Sequence, residues 1–289
     1  MDEWRSRAYA KINLSLDVLG RREDGYHEIR TVMQTIGIFD NVVLRKTEEP
    51  GIVLTTDKDY LPTDGRNLMV RAAALLFEAF GLPGGLRMEL SKFIPVAAGL
   101  AGGSTDAAAV LRGINELYGL GLSAGALAAE GLKLGADVPY CLSGKTMLAE
   151  GIGEKLSELK PCPDCSILVS KPRFSVSTKT VYEAFDRVDS VAHPDTDGLI
   201  AALERGDLKS MAVCMGNVLE RVTGTLHPAI AEIEASMARN GALKAMMSGS
   251  GPTVFGIFDD PEKAVFARQA MRRERRCGTV YLCEPVQGV

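Results

Sequence analysis

One run constrains this chain more than any other: Pro95-Val96-Ala97-Ala98-Gly99-Leu100-Ala101-Gly102-Gly103-Ser104-Thr105-Asp106-Ala107-Ala108-Ala109. It sets a proline, three glycines and two hydroxyls directly ahead of an alanine-rich, helix-forming stretch. With no β-carbons in the way, the backbone N–H groups of such a loop can crowd together. The helix that follows adds unbonded N–H groups and a positive dipole end, a combination that suits a di- or triphosphate. The plain alternative is a glycine turn before a core helix, with Ser104 and Thr105 as ordinary capping residues. The rest of the chain decides between them.

With 289 residues the chain can bury a large core, as one long domain or two intimately packed ones. Its 46% apolar and 24% charged residues are those of an ordinary globular protein. A net charge of −4 and a pI near 5.6 argue against a surface built for nucleic acid or anionic membrane. An anionic ligand must therefore be held by a local site. No apolar run approaches the roughly 20 residues that span a bilayer. Met1-Asp2-Glu3-Trp4-Arg5 lacks the basic-then-apolar layout of a signal peptide, so a cytoplasmic setting is expected. Of the six cysteines only Cys162 and Cys165 are spaced like metal or redox ligands, and no second pair answers them. Reduced, mostly structural thiols are the expectation.

Strict alternation over residues 8–18 predicts a half-buried strand, with Lys11, Asn13, Ser15 and Asp17 on the polar face and Ile12, Leu14, Leu16 and Val18 on the other. Further strands are expected over 28–39, 41–46, 52–55 and 86–91, and a helix over 67–80 with Leu68, Ala72, Leu75, Leu76 and Phe80 on one stripe. Helices are expected over 102–118 and 123–134, the second capped by Ser123 and ended by Gly135, then a short strand over 145–150. Pro161-Cys162-Pro163-Asp164 marks the divide between two halves. Beyond it the order is strand 166–170, helix 177–187, a helical stretch across 197–219, helix 228–240, strands 242–247 and 253–258, helix 261–273 and strand 278–283. The reading is α+β in two layered halves. The short run Arg272-Arg273-Glu274-Arg275-Arg276 reads as a solvated helix C-terminus.

Two familiar nucleotide signatures fail. Gly144-Lys145-Thr146 mimics the end of a P-loop, but Pro139 holds the first glycine position; Gly249-Ser250-Gly251 begins a dinucleotide fingerprint, but Val254 holds the third. The protein-kinase marks H-R-D and D-F-G are missing.

Residues 95–109 resemble instead the ATP-binding motif of the GHMP small-molecule kinases, P-x-x-x-G-L-x-x-S-[ST]-A. Here the loop reads G-L-A-G-G-S-T-D-A-A, one step longer and richer in glycine. That variant is similar to the branch of the family that phosphorylates a cytidyl-diphosphate-linked methylerythritol in non-mevalonate isoprenoid precursor synthesis. Three other blocks point to the same branch: Ala10-Lys11-Ile12-Asn13-Leu14 followed by Arg22-Glu23-Asp24-Gly25-Tyr26-His27-Glu28; Gly135-Ala136-Asp137-Val138-Pro139; and Ser248-Gly249-Ser250-Gly251-Pro252-Thr253-Val254-Phe255. The D-G-Y-H-E block discriminates; the others fit several kinases of the family.

The resemblance implies a two-domain GHMP kinase fold, with a ribosomal-S5-domain-2-like half over 1–160, a ferredoxin-like half over 161–289 and the site in the cleft between them. It implies ATP and Mg²⁺, a small cytidyl diphosphate substrate, and no nucleic-acid or membrane partner. Asp137 is the implied base that takes the proton of the acceptor hydroxyl. Lys11 beside it would offset the charge of the forming alkoxide, and Asn13 would donate to the same region. Residues 95–105 would hold the ATP phosphates. A base on a side-chain carboxylate implies direct in-line transfer with no phosphoenzyme. Tyr26 can stack on a pyrimidine and His27 can read its edge, with Tyr182 as the second aromatic. Gly249, Ser250 and Gly251 form a second glycine turn, expected to close over phosphates and acceptor. The Mg²⁺ ligands stay open between Ser104, Thr105 and no side chain at all. Read without the resemblance, Lys11 is an exposed strand lysine and Asp137 a turn residue. The competing functions are another GHMP kinase, acting on homoserine, mevalonate or a sugar, and a non-catalytic regulatory protein of the same fold.

Overall fold

In the computed structural model, which describes residues 2–288, the first half is a twisted sheet covered by helices. Two long antiparallel strands, β1 (Glu3–Arg21) and β2 (His27–Thr47), are joined by a turn at Gly25, whose φ of 87° is one that glycine reaches without strain. β3 (Gly51–Thr56) and β4 (Gly85–Ser91) extend the sheet from one end of β2, and β5 (Met147–Gly151) and β6 (Lys155–Glu158) from the other. Helices α1 (Leu68–Phe80), α2 (Gly102–Leu117), α3 (Ala124–Leu132) and α4 (Val138–Ser143) share a core with this sheet.

The second half holds β7 (Ser166–Lys171), α5 (Thr178–Phe185), α6 (Thr196–Arg205), α7 (Leu208–Cys214), β8 (Gly216–Asn217), α8 (Glu220–Leu226), α9 (Ala229–Arg239), β9 (Lys244–Met247), β10 (Val254–Phe258), α10 (Pro261–Met271) and β11 (Thr279–Cys283). Its four-stranded sheet runs β11-β7-β10-β9. β8 leaves that half and pairs in parallel with β1 at Ser15 and Leu16, completing the edge of the first sheet. A shared apolar seam joins the halves: Ile12 and Leu14 of β1 meet Val169 of β7, Phe255 and Ile257 of β10, and Leu199 and Met211 of α6 and α7. Each such side chain, fully buried, contributes roughly 1.5–3 kcal/mol. Burial thus fixes the relative placement of the sheets, and with it the cleft.

The β1–β2 ladder shifts register between Tyr9 and Lys11 and again between Asn13 and Ser15. These bulges bracket residues 11–13, the kind of irregularity that re-aims side chains toward a site. Several expectations need correction. The polar face of β1 is as buried as the apolar one, Lys11 being 5% and Asn13 2% exposed, because the second half and the site lie against it. The stretches 28–39 and 41–46 are one continuous strand. The stretch 197–219 breaks at Gly206, left-handed at φ 66°, into two helices and a strand. Ser123 caps α3 as expected, Oγ accepting from Ala126 N at 3.2 Å, but the helix ends at Leu132, ahead of Gly135. Phe80 falls off the buried stripe of α1 and is exposed. α10 ends at Met271, and Arg276 of the basic run pairs with Glu232 and Glu274. Helices α4 and α8 and strand β6 carry no pattern long enough to be read in advance.

Candidate active site

The glycine loop is built by close backbone approach. Gly99 sits at φ 73°, where an added β-carbon would lie 2.4 Å from the carbonyl oxygen of Ser248. A β-carbon on Gly102 would meet Ile94 Cγ2 at 2.9 Å and Lys92 Nζ at 3.1 Å. Ala97 and Ala101 hold φ of 49° and 55°, left-handed values that cost an alanine about 1–2 kcal/mol each. Strain of this kind gathers where a loop must present a fixed surface. α2 then starts at Gly102 without any side-chain cap, and the first helical bond runs from Thr105 N to Ala101 O at 2.9 Å. The N–H groups of Gly102, Gly103 and Ser104 are left without helical acceptors, at the positive end of the helix. Ser104 and Thr105 are therefore first-turn residues rather than caps.

A cavity of about 940 Å³ opens in front of this helix end, between the halves. Of the loop residues, Pro95, Val96, Ala97, Ala98, Gly99, Ala101, Gly102, Gly103 and Ser104 line it. Leu100 and Thr105 do not: Leu100 packs into the apolar seam and the Thr105 side chain is buried. Gly251 also lies off the cavity, with Met247 where its side chain would be, whereas Gly249 and Ser250 line it. Asn217 of β8 holds the second glycine turn by donating Nδ2 to the carbonyls of Met247 and Gly249 at 2.9 and 2.8 Å.

Lys11 Nζ donates to Asn13 Oδ1 at 2.8 Å and stands 3.9 Å from Asp137 Oδ2. Asn13 Nδ2 donates on to Thr31 Oγ1 at 2.9 Å, so the row is orientated from below. Asp137 immediately precedes α4, with Pro139 in the first turn and left-handed Gly144 ending it. Tyr140 of that short helix is fully buried; its hydroxyl meets Thr35 Oγ1 at 2.9 Å and the Lys145 carbonyl at 2.8 Å. Those bonds pin α4 to β2 and thereby place Asp137.

Tyr26, His27 and Tyr182 line the same cavity. Tyr26 is exposed, ready to present a ring face. Tyr182 packs on the His27 ring with centroids 4.7 Å apart. Burial, and next the charge of Asp137, push its phenol up to about 12. His27 Nε2 lies 2.6 Å from Asp186 Oδ1, a partner with no signature in the sequence.

A second unforeseen feature lies beneath the loop. Lys92 Nζ bonds at 2.5 Å to Asp40 Oδ2 and at 2.5 Å to Asp106 Oδ2, all three groups being buried. Asp40 Oδ1 also accepts from the N–H groups of Phe93 and Ile94, at 2.5 and 2.8 Å. The cluster ties β2, the arm leading into the loop and the second turn of α2 together. Burial pushes Asp106 up to about 8, the Lys92 ammonium working against it. The shift fits one ammonium shared by two carboxyl groups, one of which keeps its proton. Lys92 and Asp106 reach the cavity wall. Only Asp106, adjoining the loop motif, carried a hint in the sequence.

No group of three or more His, Cys, Asp or Glu side chains among the described residues is arranged to hold a metal ion. Cys162 and Cys165 are free thiols, Cys162 buried in the seam and Cys165 packed against it. Among the described residues no helix is long and apolar enough to cross a membrane. His193 and His227 serve elsewhere, His193 on Asp17 at 2.7 Å and His227 stacked on Phe174.

A strained glycine loop feeding an uncapped helix, facing a lysine–aspartate pair across one cleft, is the frame of a small-molecule kinase. The chain belongs to the GHMP kinase family: the family's models described as "GHMP kinases N terminal domain" and "GHMP kinases C terminal" match residues 67–145 and 199–276. It is 49% identical over 98% of its length to 4-diphosphocytidyl-2-C-methyl-D-erythritol kinase of Lachnospira eligens, covering 99% of that protein. It is 50% identical over 92% of its length to the kinase of the same name from Caldicellulosiruptor bescii, covering 93% of it. A crystal structure of 4-(cytidine 5'-diphospho)-2C-methyl-D-erythritol kinase superposes with a TM-score of 0.84 at 36% identity, over 99% of this chain and 100% of that one. A homoserine kinase from Cytophaga hutchinsonii shares the fold, with a TM-score of 0.80 at 23% identity over 100% of this chain and 96% of that one.

Proposed function

We propose that this chain phosphorylates the 2-hydroxyl of 4-diphosphocytidyl-2-C-methyl-D-erythritol from ATP, in the cytoplasm, in non-mevalonate isoprenoid precursor synthesis. The observation that carries the reading is one cavity lined together by the uncapped start of α2, by Lys11 and Asp137, and by Tyr26, His27 and Tyr182. That set suits a triphosphate, a reacting hydroxyl and a flat base held in one cleft.

In this reading the loop N–H groups bind the β- and γ-phosphates and the Asp137 carboxylate accepts the proton of the acceptor hydroxyl. The hydroxyl oxygen attacks the γ-phosphorus as the bond to ADP breaks. Lys11, held by Asn13, offsets the charge on the attacking oxygen. Ser250, whose hydroxyl meets Thr178 Oγ1 at 2.9 Å, closes the turn over the acceptor. Residues 1–160 then carry nucleotide and catalytic pair, and residues 161–289 supply Tyr182 and the closing turn. Mg²⁺ would ride chiefly on the phosphates, as is usual for that ion. The Ser104 hydroxyl and the buried, unpartnered Asp106 Oδ1, both on residues that line the cavity, offer the hard oxygen donors that fit such an ion. Bound there it would neutralise charge on the transferred phosphoryl group.

The test is ADP release by purified protein with Mg-ATP and the cytidyl substrate, with homoserine and mevalonate in parallel. ADP formed with the cytidyl substrate alone supports the reading. ADP formed with another acceptor keeps the Lys11–Asp137 chemistry and overturns the substrate.

A further inference from the structure

We propose that Asp186 is the positioning residue that makes this site select cytosine over uracil, by fixing the tautomer of His27. The inference rests on the cytidyl reading above and adds the group that enforces it. His27 opens β2 in the first half, whereas Asp186 ends α5 in the second, so the pair forms only when the two halves are assembled. A carboxylate has no proton to give. At 2.6 Å from Asp186 Oδ1, His27 Nε2 must therefore carry the hydrogen. A neutral ring with its proton on Nε2 leaves Nδ1 as a bare acceptor. Among the described residues no protein group bonds Nδ1, and it is not one of the polar atoms buried without a partner.

The ring is held on two sides by a single helix. Tyr182 and Asp186 stand four residues apart on α5 and its cap, with Asp186 N bonded to Tyr182 O at 3.0 Å. That spacing puts the aromatic ring and the carboxylate on one helix face. Tyr182 packs on the imidazole at 4.7 Å and 33° while the carboxylate holds its edge. The second oxygen, Asp186 Oδ2, faces Arg21 at 3.6 Å, which orients the carboxyl group itself.

The chemical consequence is selective. Cytosine presents an amine at position 4, a donor that an acceptor nitrogen welcomes. Uracil presents a carbonyl there, whose lone pairs would face those of Nδ1. A site committed to one sense of hydrogen bond rejects the wrong partner strongly, because the bound base covers the group and leaves it unpaired. Released from Asp186, the imidazole can place its proton on either nitrogen and the discrimination weakens.

The experiment compares kcat/KM for cytidine- and uridine-diphosphate-linked methylerythritol in the wild type, Asp186→Ala and Asp186→Glu, with ¹⁵N NMR of the His27 ring. Expected are an Nε2-protonated ring in the wild type and a mixed one in Asp186→Ala. The cytidyl-to-uridyl ratio should fall at least about tenfold in Asp186→Ala, with KM for ATP unmoved and partial recovery in Asp186→Glu. A wild-type ring protonated on Nδ1 alone overturns the inference without any variant, so it stands or falls even if Asp186→Ala does not fold. Turnover of both substrates with an unchanged ratio in Asp186→Ala overturns it alone. Wild-type turnover of neither, with another alcohol accepted, sinks the substrate reading and this inference with it.

Discussion

The hydroxyl of Ser248 donates to the carbonyl of Gly99 at 3.0 Å, joining the two glycine turns that lie 149 residues apart in the chain. Each turn needs the other's backbone at close range. A phosphate loop from the first half is thus held in shape by a turn from the second.

Gly99→Ala tests that contact. The new methyl would lie 2.4 Å from Ser248 O at a left-handed φ, so both turns must shift. Expected are a raised KM for ATP and a Tm lower by several degrees. Unchanged ATP affinity in thermal-shift titration would show that the junction plays no part in shaping the loop.

Asp137→Asn keeps the shape of the carboxyl group and removes its capacity to take a proton. It should retain ATP binding and lose about 10²–10⁴-fold in kcat, the usual weight of a general base. Lys11→Met should cut kcat by about 10²–10³-fold, as for loss of one charge-stabilising donor. Single-turnover rates measured alongside ATP affinity check both; near-normal turnover in Asp137→Asn removes it from the chemistry.

Tyr140→Phe probes how Asp137 is placed. Losing the hydroxyl strands Thr35 Oγ1 in a buried site and the Lys145 carbonyl in a half-buried one, a cost of about 1–3 kcal/mol. The expected result is a lower urea midpoint with a modest fall in kcat, because α4 loosens. A full loss of stability with unaltered kcat in the folded fraction would separate α4 from the geometry of the pair.

The buried carboxyl groups set a pH dependence. Asp106 goes from 3.8 to about 8 on folding, so between those values the folded chain holds a proton that the unfolded chain has released. Its contribution is therefore fully present below about pH 4 and is lost as pH rises toward 8. Glu234, raised to about 8 by burial and by Glu220, acts in the same direction. Stability should decline across that window, and Asp106→Asn should flatten the decline without abolishing it. Urea denaturation from pH 4.5 to 8 measures the slope; an identical slope in the variant would rule out Asp106 as a source.

Parts whose chemistry is local can be read along the chain. The glycine loop, its helix and the second glycine turn are legible because left-handed φ and close backbone approach favour glycine, as at Gly99, Gly249 and Gly251. The Tyr26-His27 block and Asp137 are picked out by the family resemblance and not by backbone geometry. What lies across from them is set by how the two halves pack. Lys11 reads as an exposed strand lysine until the second half covers β1, and Thr105 reads as a phosphate-loop hydroxyl until helix geometry turns it into the core. The Lys92 cluster and the Asp186–His27 pair join residues dozens to more than a hundred positions apart. Their meeting depends on where burial of the apolar seam sets one sheet against the other, and no periodicity along the chain encodes that placement.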